Sequence, residues 1–399
     1  MVKEGRSLNI KEMDAAYVAN TYKRFPVQIV SGQGSVVRDD QGREYIDLGS
    51  GIAVTSFGIG DEQWKQAVTD QINQVQHMSN LYYTAPCAEL AQMLCRKTGM
   101  KKVFFCNSGA EANECAIKTA RKYAADKYGP ERYTIITLKN SFHGRTITTL
   151  AATGQEHYHE LFQPLTPGFQ HAAAEDIREL KELIARQPTA AIMIECVQGE
   201  GGVIPLSKEY VQAVADICKE QDILLIVDEV QTGNGRTGQL YAYMNYGIRP
   251  DIVSTAKGLG GGLPLGAALL GNKAEKVLGF GDHGSTFGGN PVCCAGALSV
   301  LSRLDEAFLQ EVREKSAYLF DTFKDAPGIQ AVTGLGLMIG LKTKKPAGQV
   351  LAACMEKGVL CLTAKDKVRL LPALNIPMDT LKKAAAIIKE ACAEGEETA

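Results

Sequence analysis

Two ionisable residues of this 399-residue chain stand in sequence surroundings that suit chemistry. Asp228 follows the strongly apolar residues 224–227, so we expect its carboxylate to be partly withdrawn from water and to need a cationic partner. Lys257 lies in the segment AKGLGGG, whose glycines clear space around it and permit unusual backbone angles. A lysine in such a setting can form a Schiff base. The ordinary alternatives are a structural ion pair for Asp228 and a solvated cation for Lys257.

An anion site is predicted where residues 108–111 (SGAE) open a helix at the end of a strand. Ser108 followed three positions later by Glu111 has the pattern of a capping box. The small residues Gly109 and Ala110 would let a phosphate approach the free N–H groups of the first helical turn. The alternative is a plain helix cap without a ligand, which this pattern taken alone favours.

Two nucleotide-binding alternatives find little support. The chain contains no G-x-x-x-x-G-K-[ST] loop, which excludes a P-loop ATPase as the reason for Asp228. Residues 233–238 (GNGRTG) match G-x-G-x-x-G, but residues 229–232 separate these glycines from the strand end, where a dinucleotide site needs them. We interpret 233–238 as a turn-rich loop.

Taken together, the candidate groups predict a specific kind of ligand. The ends of the predicted strands carry an anion site at Ser108, an aromatic ring at Phe142, the acid Asp228 and the amine Lys257. Because ligands of parallel sheets bind beyond the carboxyl ends of the strands, we expect these groups to meet. Pyridoxal phosphate requires this set: a lysine Schiff base, an acid for the pyridinium nitrogen and a phosphate site.

The motifs also resemble those of a known family, the class III (omega) aminotransferases on the aspartate-aminotransferase fold. The resemblance covers nearly the whole chain, from residue 32 to residue 369. Its motifs are NSGAEAN at 107–113, FHGRT at 142–146, QGEGG at 198–202, DEVQTG at 228–233, AKGLGGG at 256–262 and GSTFGGNP at 284–291. It implies an α/β fold of the fold type I, pyridoxal-phosphate-dependent transferases, with a mainly parallel central sheet and a smaller α+β domain.

The resemblance implies roles toward the cofactor. Lys257 resembles the Schiff-base lysine and Asp228 the partner of the ring nitrogen, and these two are the expected catalytic residues. The remaining expected cofactor contacts are Ser108, Gly109 and Ala110 at the phosphate, Phe142 stacked on the ring, Val230, Gln231 at the ring hydroxyl, and Thr286.

Substrate roles are likewise implied by resemblance. Arg145 is expected to hold the distal carboxylate of the amine donor and Arg369 that of glutamate, because a guanidinium binds a carboxylate in a bidentate fork. Glu200 matches a residue that pairs with the second arginine and moves aside for glutamate. Ser285 and Thr286 match a segment that reaches the site of the other subunit, which implies a homodimer with shared sites. Asn80 is the remaining expected substrate contact.

The reaction implied is transfer of the δ-amino group of N2-acetyl-L-ornithine to 2-oxoglutarate. The products would be N-acetyl-L-glutamate 5-semialdehyde and L-glutamate, a step of arginine biosynthesis with ping-pong kinetics. Ornithine, succinylornithine or another omega-amino acid is the alternative donor. Two positions depart from the family pattern: Cys196 stands where proline is usual, and Ile59 where histidine is usual.

The elements that must position these groups can be read from the apolar pattern. Short apolar runs alternate with helical patterns, which predicts a mainly parallel sheet covered by helices on both faces. Earlier glycine turns at 32–34 and 40–42 predict a hairpin unit. We expect helices over 208–221, from Asn290 as N-cap, and from Asp379 as cap to about 393. The expected strands lie at 103–106, 133–138, 190–195, 223–228, 251–254 and 265–270.

Length and composition indicate the number of domains, the classes of partner and the cellular location. The chain has room for about two domains, and we expect residues 1–50 to join 301–399 in a small domain beside a large cofactor domain at 51–300. A net charge of −2 gives no electrostatic argument for nucleic acid or an anionic membrane. Eleven cysteines without a C-x-x-C pair favour neither a disulfide framework nor a metal site, and indicate a reducing, cytoplasmic location.

Overall fold

A computed structural model describes residues 9–393 of the chain. The strands are β1 Ile29–Gln33, β2 Val36–Asp39, β3 Glu44–Asp47, β4 Lys102–Cys106, β5 Thr134–Leu138, β6 Phe169–Ala172, β7 Thr189–Ile194, β8 Val197–Gln198, β9 Ile204–Pro205, β10 Leu224–Asp228, β11 Ile252–Thr255, β12 Gly266–Leu270, β13 Ile329–Leu335, β14 Met338–Thr343, β15 Val359–Leu360, β16 Leu362–Ala364 and β17 Lys367–Leu370. The helices are α1 Ile10–Tyr17, α2 Ser50–Ala53, α3 Glu62–Gln74, α4 Ala85–Thr98, α5 Gly109–Tyr128, α6 Ile147–Ala152, α7 Ile177–Arg186, α8 Lys208–Glu220, α9 Tyr243–Tyr246, α10 Pro291–Ser302, α11 Glu306–Phe323, α12 Ala347–Glu356 and α13 Met378–Ala393. Short 3-10 turns lie at Glu156–Tyr158 and Lys257–Leu259.

A seven-stranded sheet forms the centre, in the order β4-β12-β11-β10-β7-β5-β6. The pairs β10 with β11, β10 with β7, β5 with β7 and β5 with β6 are parallel, whereas β12 runs antiparallel to both of its neighbours. The predicted mainly parallel α/β sheet is therefore confirmed, and each predicted strand is present within one or two residues of its expected bounds. Strand β6, which carries the polar residues Gln170 and His171, was not predicted.

The sheet is buried between layers of helices. Strands β5, β7, β10 and β12 are buried at every position, as expected for strands covered on both faces. Helix α5 crosses the sheet on a stripe of small residues that allows a close approach, among them Ala112, Cys115, Ala116 and Ala120. It packs against β11 and β12 and opens at the carboxyl end of β4. The helix is thus held rigidly with its N-terminus at the sheet edge.

Two smaller sheets flank the central one. One has the order β1-β2-β3-β15, in which β15 from late in the chain pairs in parallel with β3 from its beginning. The other, β13-β14-β17-β16, is antiparallel throughout. The pairing of β3 with β15 supports a shared small domain, but the division at residues 50 and 300 stays a prediction, and its residues 1–8 and 394–399 lie outside the described part.

The predicted helix starts were partly right. Asn290 caps α10 as expected, because its Oδ1 accepts hydrogen bonds from the N–H groups of Val292 at 3.0 Å and Cys293 at 3.2 Å. The expected cap Asp379 is wrong, since α13 begins at Met378 and places Asp379 inside its first turn. There a carboxylate still favours the positive end of the helix dipole.

The short element α2, over Ser50, Gly51, Ile52 and Ala53, is a left-handed turn and not a regular α-helix, and it connects the first small sheet to the centre. The φ angles of Ser50, Ile52 and Ala53 are 41°, 64° and 62°, which residues with side chains rarely adopt. The Ser50 hydroxyl donates to the carbonyl of Leu371 at 2.5 Å. Asp47 Oδ1 accepts the N–H groups of residues 49 and 50. These contacts stabilise the turn although its positive φ angles are unfavourable for residues with side chains.

Among residues 9–393, none of the helices is both long and apolar enough to cross a membrane.

Candidate active site

A cleft of about 470 Å³ opens beyond the carboxyl ends of the central strands. Its walls come from the ends of β4, β10 and β11 and from the loop after β5, which are the places that the strand pattern predicts. The lining residues are Val54, Asn107, Ser108, Gly109, Ala110, Asn113, Phe142, His143, Gly144, Arg145, Glu195, Asp228, Val230, Gln231, Ala256, Lys257, Gly262, Leu263, Pro264 and Leu265.

Asp228 ends β10 as a buried carboxylate in the wall of the cleft. Its Oδ2 accepts hydrogen bonds from Asn113 Nδ2 at 2.8 Å and from His143 Nδ1 at 2.8 Å, and its Oδ1 accepts the Val230 N–H at 3.0 Å. Within the described chain, no lysine or arginine forms an ion pair with it. Three partners fix the carboxylate in one orientation, and its charge is left for a cation in the cleft.

Lys257 lies directly after β11, in the 3-10 turn of residues 257–259. Its φ angle of 47° is left-handed, and the following Gly258 is in such close contact that an added Cβ would lie 2.7 Å from Ser56 Oγ. Burial lowers the pKa of the Lys257 amine, although Glu200 and Asp228 oppose this shift. A lowered pKa raises the fraction of the amine that is unprotonated, and only the unprotonated amine can act as a nucleophile or accept a proton.

The N-terminus of α5 forms the third side of the cleft. The Ser108 hydroxyl accepts the Glu111 N–H at 3.2 Å, so Ser108 is the N-cap as predicted. The reciprocal half of the capping box differs: Glu111 Oε2 accepts the N–H of Asn107 at 2.6 Å. A Cβ on Gly109 would lie 2.6 Å from Val230 Cγ1, so only glycine fits between the helix and Val230. The first N–H groups of the helix have no intrahelical acceptor and are suited to an anion.

Phe142 is positioned by a buried carboxylate that the sequence analysis did not single out. The Phe142 N–H donates to Glu195 Oε2 at 2.9 Å, and Gly199 N–H approaches Glu195 Oε1 at 3.4 Å. Burial raises the pKa of Glu195 to about 7, opposed by His143. Glu195 thereby joins the loop that carries Phe142 to the loop that carries Glu200.

Arg145 lies at the mouth of the cleft and is exposed. Its guanidinium carbon is 5.8 Å from the ring centroid of Phe142 and 5.4 Å from that of Tyr158. No ion pair joins it to an acidic residue of the described chain. Arg145 is therefore an arginine held by aromatic faces, with its hydrogen-bond donors available to a ligand.

Arg369 lies on β17 and is buried, in contrast to Arg145. Its Nη1 donates to Glu200 Oε1 at 2.6 Å and to Gln231 Oε1 at 3.0 Å, and Gln231 Nε2 donates to Glu200 Oε1 at 3.2 Å. Burial raises the pKa of Glu200, but the charge and hydrogen bond of Arg369 outweigh it and the net shift is downward. The three side chains form a closed polar network beside the cleft, of which only Gln231 lines it directly.

Asn80, Ser285 and Thr286 do not line this cleft. Asn80 Nδ2 instead donates to the carbonyls of Ser285 at 3.0 Å and Gly288 at 2.9 Å, and Asn107 Nδ2 donates to Ser285 Oγ at 3.1 Å. Thr286 is exposed. These contacts shape a loop outside the chain's own cleft, and its expected role at the site of a second subunit stays a prediction.

The structure adds several residues in or beside the cleft to those expected from sequence. Asn113 and His143 lie within two of the sequence motifs, and both contact Asp228. The spacing of Asn113 one helical turn after Gly109 could have placed it on the cleft side of α5. The apolar wall at residues 263–265 and the aromatic Tyr158 carry no local sequence signal, because their position depends on distant packing.

Comparison with known proteins then decides the family. The profile of the aminotransferase class-III family matches residues 17–392. The chain belongs to the class-III aminotransferases. This aminotransferase is 50% identical over 387 residues to the acetylornithine aminotransferase of Haemophilus ducreyi, a match that covers 96% of the chain and 98% of that protein. It is 44% identical over 385 residues to that of Caldanaerobacter subterraneus, covering 95% of the chain and 98% of the relative.

Solved structures confirm the fold of the aminotransferase. The ornithine aminotransferase of Toxoplasma gondii superposes with a TM-score of 0.92 at 31% identity, covering 96% of this chain and 94% of the other. The N-acetylornithine aminotransferase of Stenotrophomonas maltophilia gives a TM-score of 0.83 at 35% identity, covering 95% and 97%. The predicted fold type I, aspartate-aminotransferase-like class is thus confirmed. Backbone similarity alone does not separate these two activities.

Neither of the two departures from the family pattern lines the cleft. Cys196 is fully buried, and its carbonyl accepts the Tyr246 hydroxyl at 3.1 Å. Burial raises the pKa of its thiol, so the side chain is a neutral packing group. Ile59 forms a backbone bridge with Gly34. Cys196 directly follows Glu195, which does line the cleft.

Proposed function

We propose that this aminotransferase moves the δ-amino group of N2-acetyl-L-ornithine to 2-oxoglutarate with the help of pyridoxal phosphate, as a step of arginine biosynthesis. The observation that carries the proposal is the difference between its two arginines. Arg145 is exposed and has no acidic partner among residues 9–393, whereas Arg369 is buried and paired with Glu200. Two arginines that differ in burial and pairing before substrate binds could each bind a carboxylate. This suits two substrates that present their carboxylates at different distances from the reacting nitrogen.

The residues of the cleft fit pyridoxal phosphate. Asp228 is held by an amide, a backbone N–H and His143, so its charge is not neutralised by a lysine or arginine of the described chain and is available to a protonated ring nitrogen. The N-terminus of α5 offers N–H groups to a phosphate. When bound, the cofactor carries the amino group and draws off the electron pair released at the reacting carbon.

Several further side chains are proposed to hold the cofactor. Phe142 would stack on the ring from the loop after β5, and Val230 and Gln231 would contact it from the segment after Asp228. Support comes from the cleft itself, since Phe142, Val230 and Gln231 all line it together with Ser108, Gly109 and Ala110.

The proton transfers are assigned to Lys257. Its lowered pKa, caused by burial, makes the free amine available to take the proton from the reacting carbon of the substrate and later to return a proton. Asp228 keeps its negative charge opposite and is oriented by Asn113 and His143. The carboxylate therefore favours a positive charge at the position it faces throughout the reaction.

Substrate exchange is assigned to the two arginines. Arg145 binds the carboxylate of acetylornithine while Glu200 keeps Arg369 occupied. When glutamate or 2-oxoglutarate enters, its carboxylate replaces that of Glu200 on Arg369. The network Arg369–Gln231–Glu200 supports this exchange, because Gln231 can retain one hydrogen bond to either partner.

A homodimer in the cytoplasm is part of the proposal. The segment with Ser285 and Thr286 would enter the cleft of the second copy, where Thr286 would meet the cofactor and Ser285 the substrate, with Asn80 supporting the segment. The exposure of Thr286 and of the large apolar side chains Phe280 and Phe287 supports an interface there. The mostly buried cysteines, which form no disulfide within the described chain, fit a reducing compartment.

The deciding experiment is the amine-donor profile of the purified holoenzyme with 2-oxoglutarate as acceptor. We expect the highest kcat/KM with N-acetylornithine. Ornithine is the second candidate, because the ornithine aminotransferase of Toxoplasma gondii shares the fold. A clear preference for free ornithine or succinylornithine would overturn the proposed substrate but not the family.

A further inference from the structure

We propose that Tyr158 is a positioning residue that holds the Arg145 guanidinium in its binding orientation and thereby sets the affinity for the amine donor. The inference rests on the proposed role of Arg145 as the grip for the donor carboxylate. It assigns a function to an aromatic residue outside the motifs that identify the family, one that does not line the cleft.

The geometry places Arg145 against two rings. The guanidinium carbon lies 5.4 Å from the centroid of Tyr158 and 5.8 Å from that of Phe142, both within cation–π range. The rings of Phe142 and Tyr158 meet edge to face, with centroids 5.7 Å apart and an interplanar angle of 64°. Arg145 therefore lies between two aromatic rings, of which that of Tyr158 is the closer.

This support differs in kind from the one that Arg369 receives. Glu200 and Gln231 occupy Nη1 of Arg369 with hydrogen bonds, which a substrate must displace. Aromatic faces attract the cation through its charge and leave its N–H groups unused. An exposed arginine otherwise loses considerable rotamer freedom when it binds a ligand, and part of that loss is avoided when the side chain is already ordered. Tyr158 thus preorganises Arg145 without competing with the substrate.

Tyr158 is itself held by the segment in which it lies. It closes the 3-10 turn Glu156–Tyr158, and its N–H donates to the carbonyl of Gln155 at 3.1 Å. The next residue, His159, bonds through Nε2 to the carbonyls of Leu150 at 2.9 Å and Thr153 at 2.7 Å, at the end of α6. Arg145 precedes the same helix, so α6 and its flanking turns fix the ring and the guanidinium relative to each other.

The test compares Tyr158→Leu, which removes the aromatic face, with Tyr158→Phe, which keeps it. Phe162→Leu, at an exposed aromatic of the same segment, is the matched control. In the holoenzyme we expect Tyr158→Leu to raise KM for N-acetylornithine by about 2- to 30-fold, the range that corresponds to a cation–π contact, with kcat nearly unchanged. Tyr158→Phe and Phe162→Leu should remain near wild type.

Three comparisons separate positioning from a general structural defect. KM for glutamate, whose carboxylate is assigned to Arg369, should not change in Tyr158→Leu. KM for N-acetylputrescine, which has the reacting amine but no carboxylate, should not change either. Calorimetric binding of N-acetylnorvaline, which has the carboxylate but no amine, should weaken as KM rises. An unchanged KM for N-acetylornithine in Tyr158→Leu, or an equal rise for glutamate, would overturn the proposal.

Failure of the proposed function gives a different pattern. If the donor profile selects another omega-amino acid, the same variants are measured with that donor, and the positioning of Arg145 predicts the same rise of KM in Tyr158→Leu alone. If that rise is missing for the preferred donor, the role of Tyr158 is wrong whatever the substrate.

Discussion

The Arg369 guanidinium lies 2.6 Å from the Glu200 carboxylate, and the arginine side chain is only 4% exposed. An arginine so deeply buried would be costly without a partner, and the paired carboxylate offsets part of that cost. At the same time the pair blocks the position at which a second carboxylate could bind. Under the proposed function, the resting site is therefore open to a carboxylate at Arg145 and closed to one at Arg369.

Replacing Glu200 should therefore change which amines the enzyme accepts. In Glu200→Ala the Arg369 guanidinium loses its competitor, and we expect the ratio of kcat/KM for N-acetylornithine to that for glutamate to fall by about 10-fold or more, as for loss of one charged contact. Glu200→Gln keeps a hydrogen-bond acceptor, so its ratio should lie between the ratios of the wild type and of Glu200→Ala. Steady-state kinetics with each amine measures the ratio, and equal losses for both amines would contradict the exchange.

Lys257→Ala should abolish amino transfer while leaving the fold intact. A missing proton-transfer group costs about 100-fold or more, and loss of the nucleophile adds to this. Borohydride treatment followed by peptide mass spectrometry should find the reduced cofactor on Lys257 in the wild type and on no lysine of the variant. Lys257→Arg controls for charge and should behave like the alanine variant. A reduced adduct of the same yield in Lys257→Ala would refute the assignment.

Gly109→Ala should loosen cofactor binding through Val230. The added methyl would lie 2.6 Å and 2.7 Å from the two Val230 methyl groups, so Val230 must move, and its N–H is the donor to Asp228 Oδ1. We expect faster loss of cofactor absorbance on dialysis. The double variant Gly109→Ala/Val230→Ala should recover part of the retention, since it removes the clash. Gly348→Ala, which meets no atom within 4 Å, should retain cofactor like the wild type.

Stability should fall with rising pH because of Glu229. Burial raises the pKa of this carboxyl from 4.5 to about 7, although Thr232 and the N–H groups of Ala242 and Tyr243 donate hydrogen bonds to it. The folded state therefore binds a proton more tightly than the unfolded one, and this contribution, present below pH 4.5, is lost as the pH rises through about 7. It amounts to at most about 3 kcal/mol.

Glu229→Gln removes that titrating group, so its free energy of unfolding should fall less between pH 5 and pH 8 than that of the wild type. Denaturant unfolding at several pH values measures the difference. Glu220→Gln, at an exposed position at the end of α8, is the control and should follow the wild-type curve. Parallel curves for Glu229→Gln and the wild type would contradict the expected proton linkage.

Most of the central architecture could be predicted from the sequence, because each predicted strand is a short, continuous apolar run with a polar end. It also identified the N-cap Ser108, the buried Asp228 and the glycine-flanked Lys257, since these signals are local. The reversal of β12 and the edge strand β6 were not predicted, because strand direction depends on pairing and not on composition. The roles of Glu195 and Tyr158 were not predicted for a similar reason, because only the fold brings their partners Phe142 and Arg145 close to them.

The left-handed turn at Ser50, Ile52 and Ala53 has a consequence for altering this enzyme in the laboratory. The turn precedes Val54 in the cleft wall, and its serine hydroxyl is anchored to Leu371, two residues beyond Arg369. A graft of residues 50–53 from another class-III enzyme would exchange a conformation as well as side chains. Libraries aimed at a new amine should therefore keep Ser50 fixed and randomise Val54, because release of the turn would disturb the cleft wall at Val54 and the end of β17, the strand that carries Arg369.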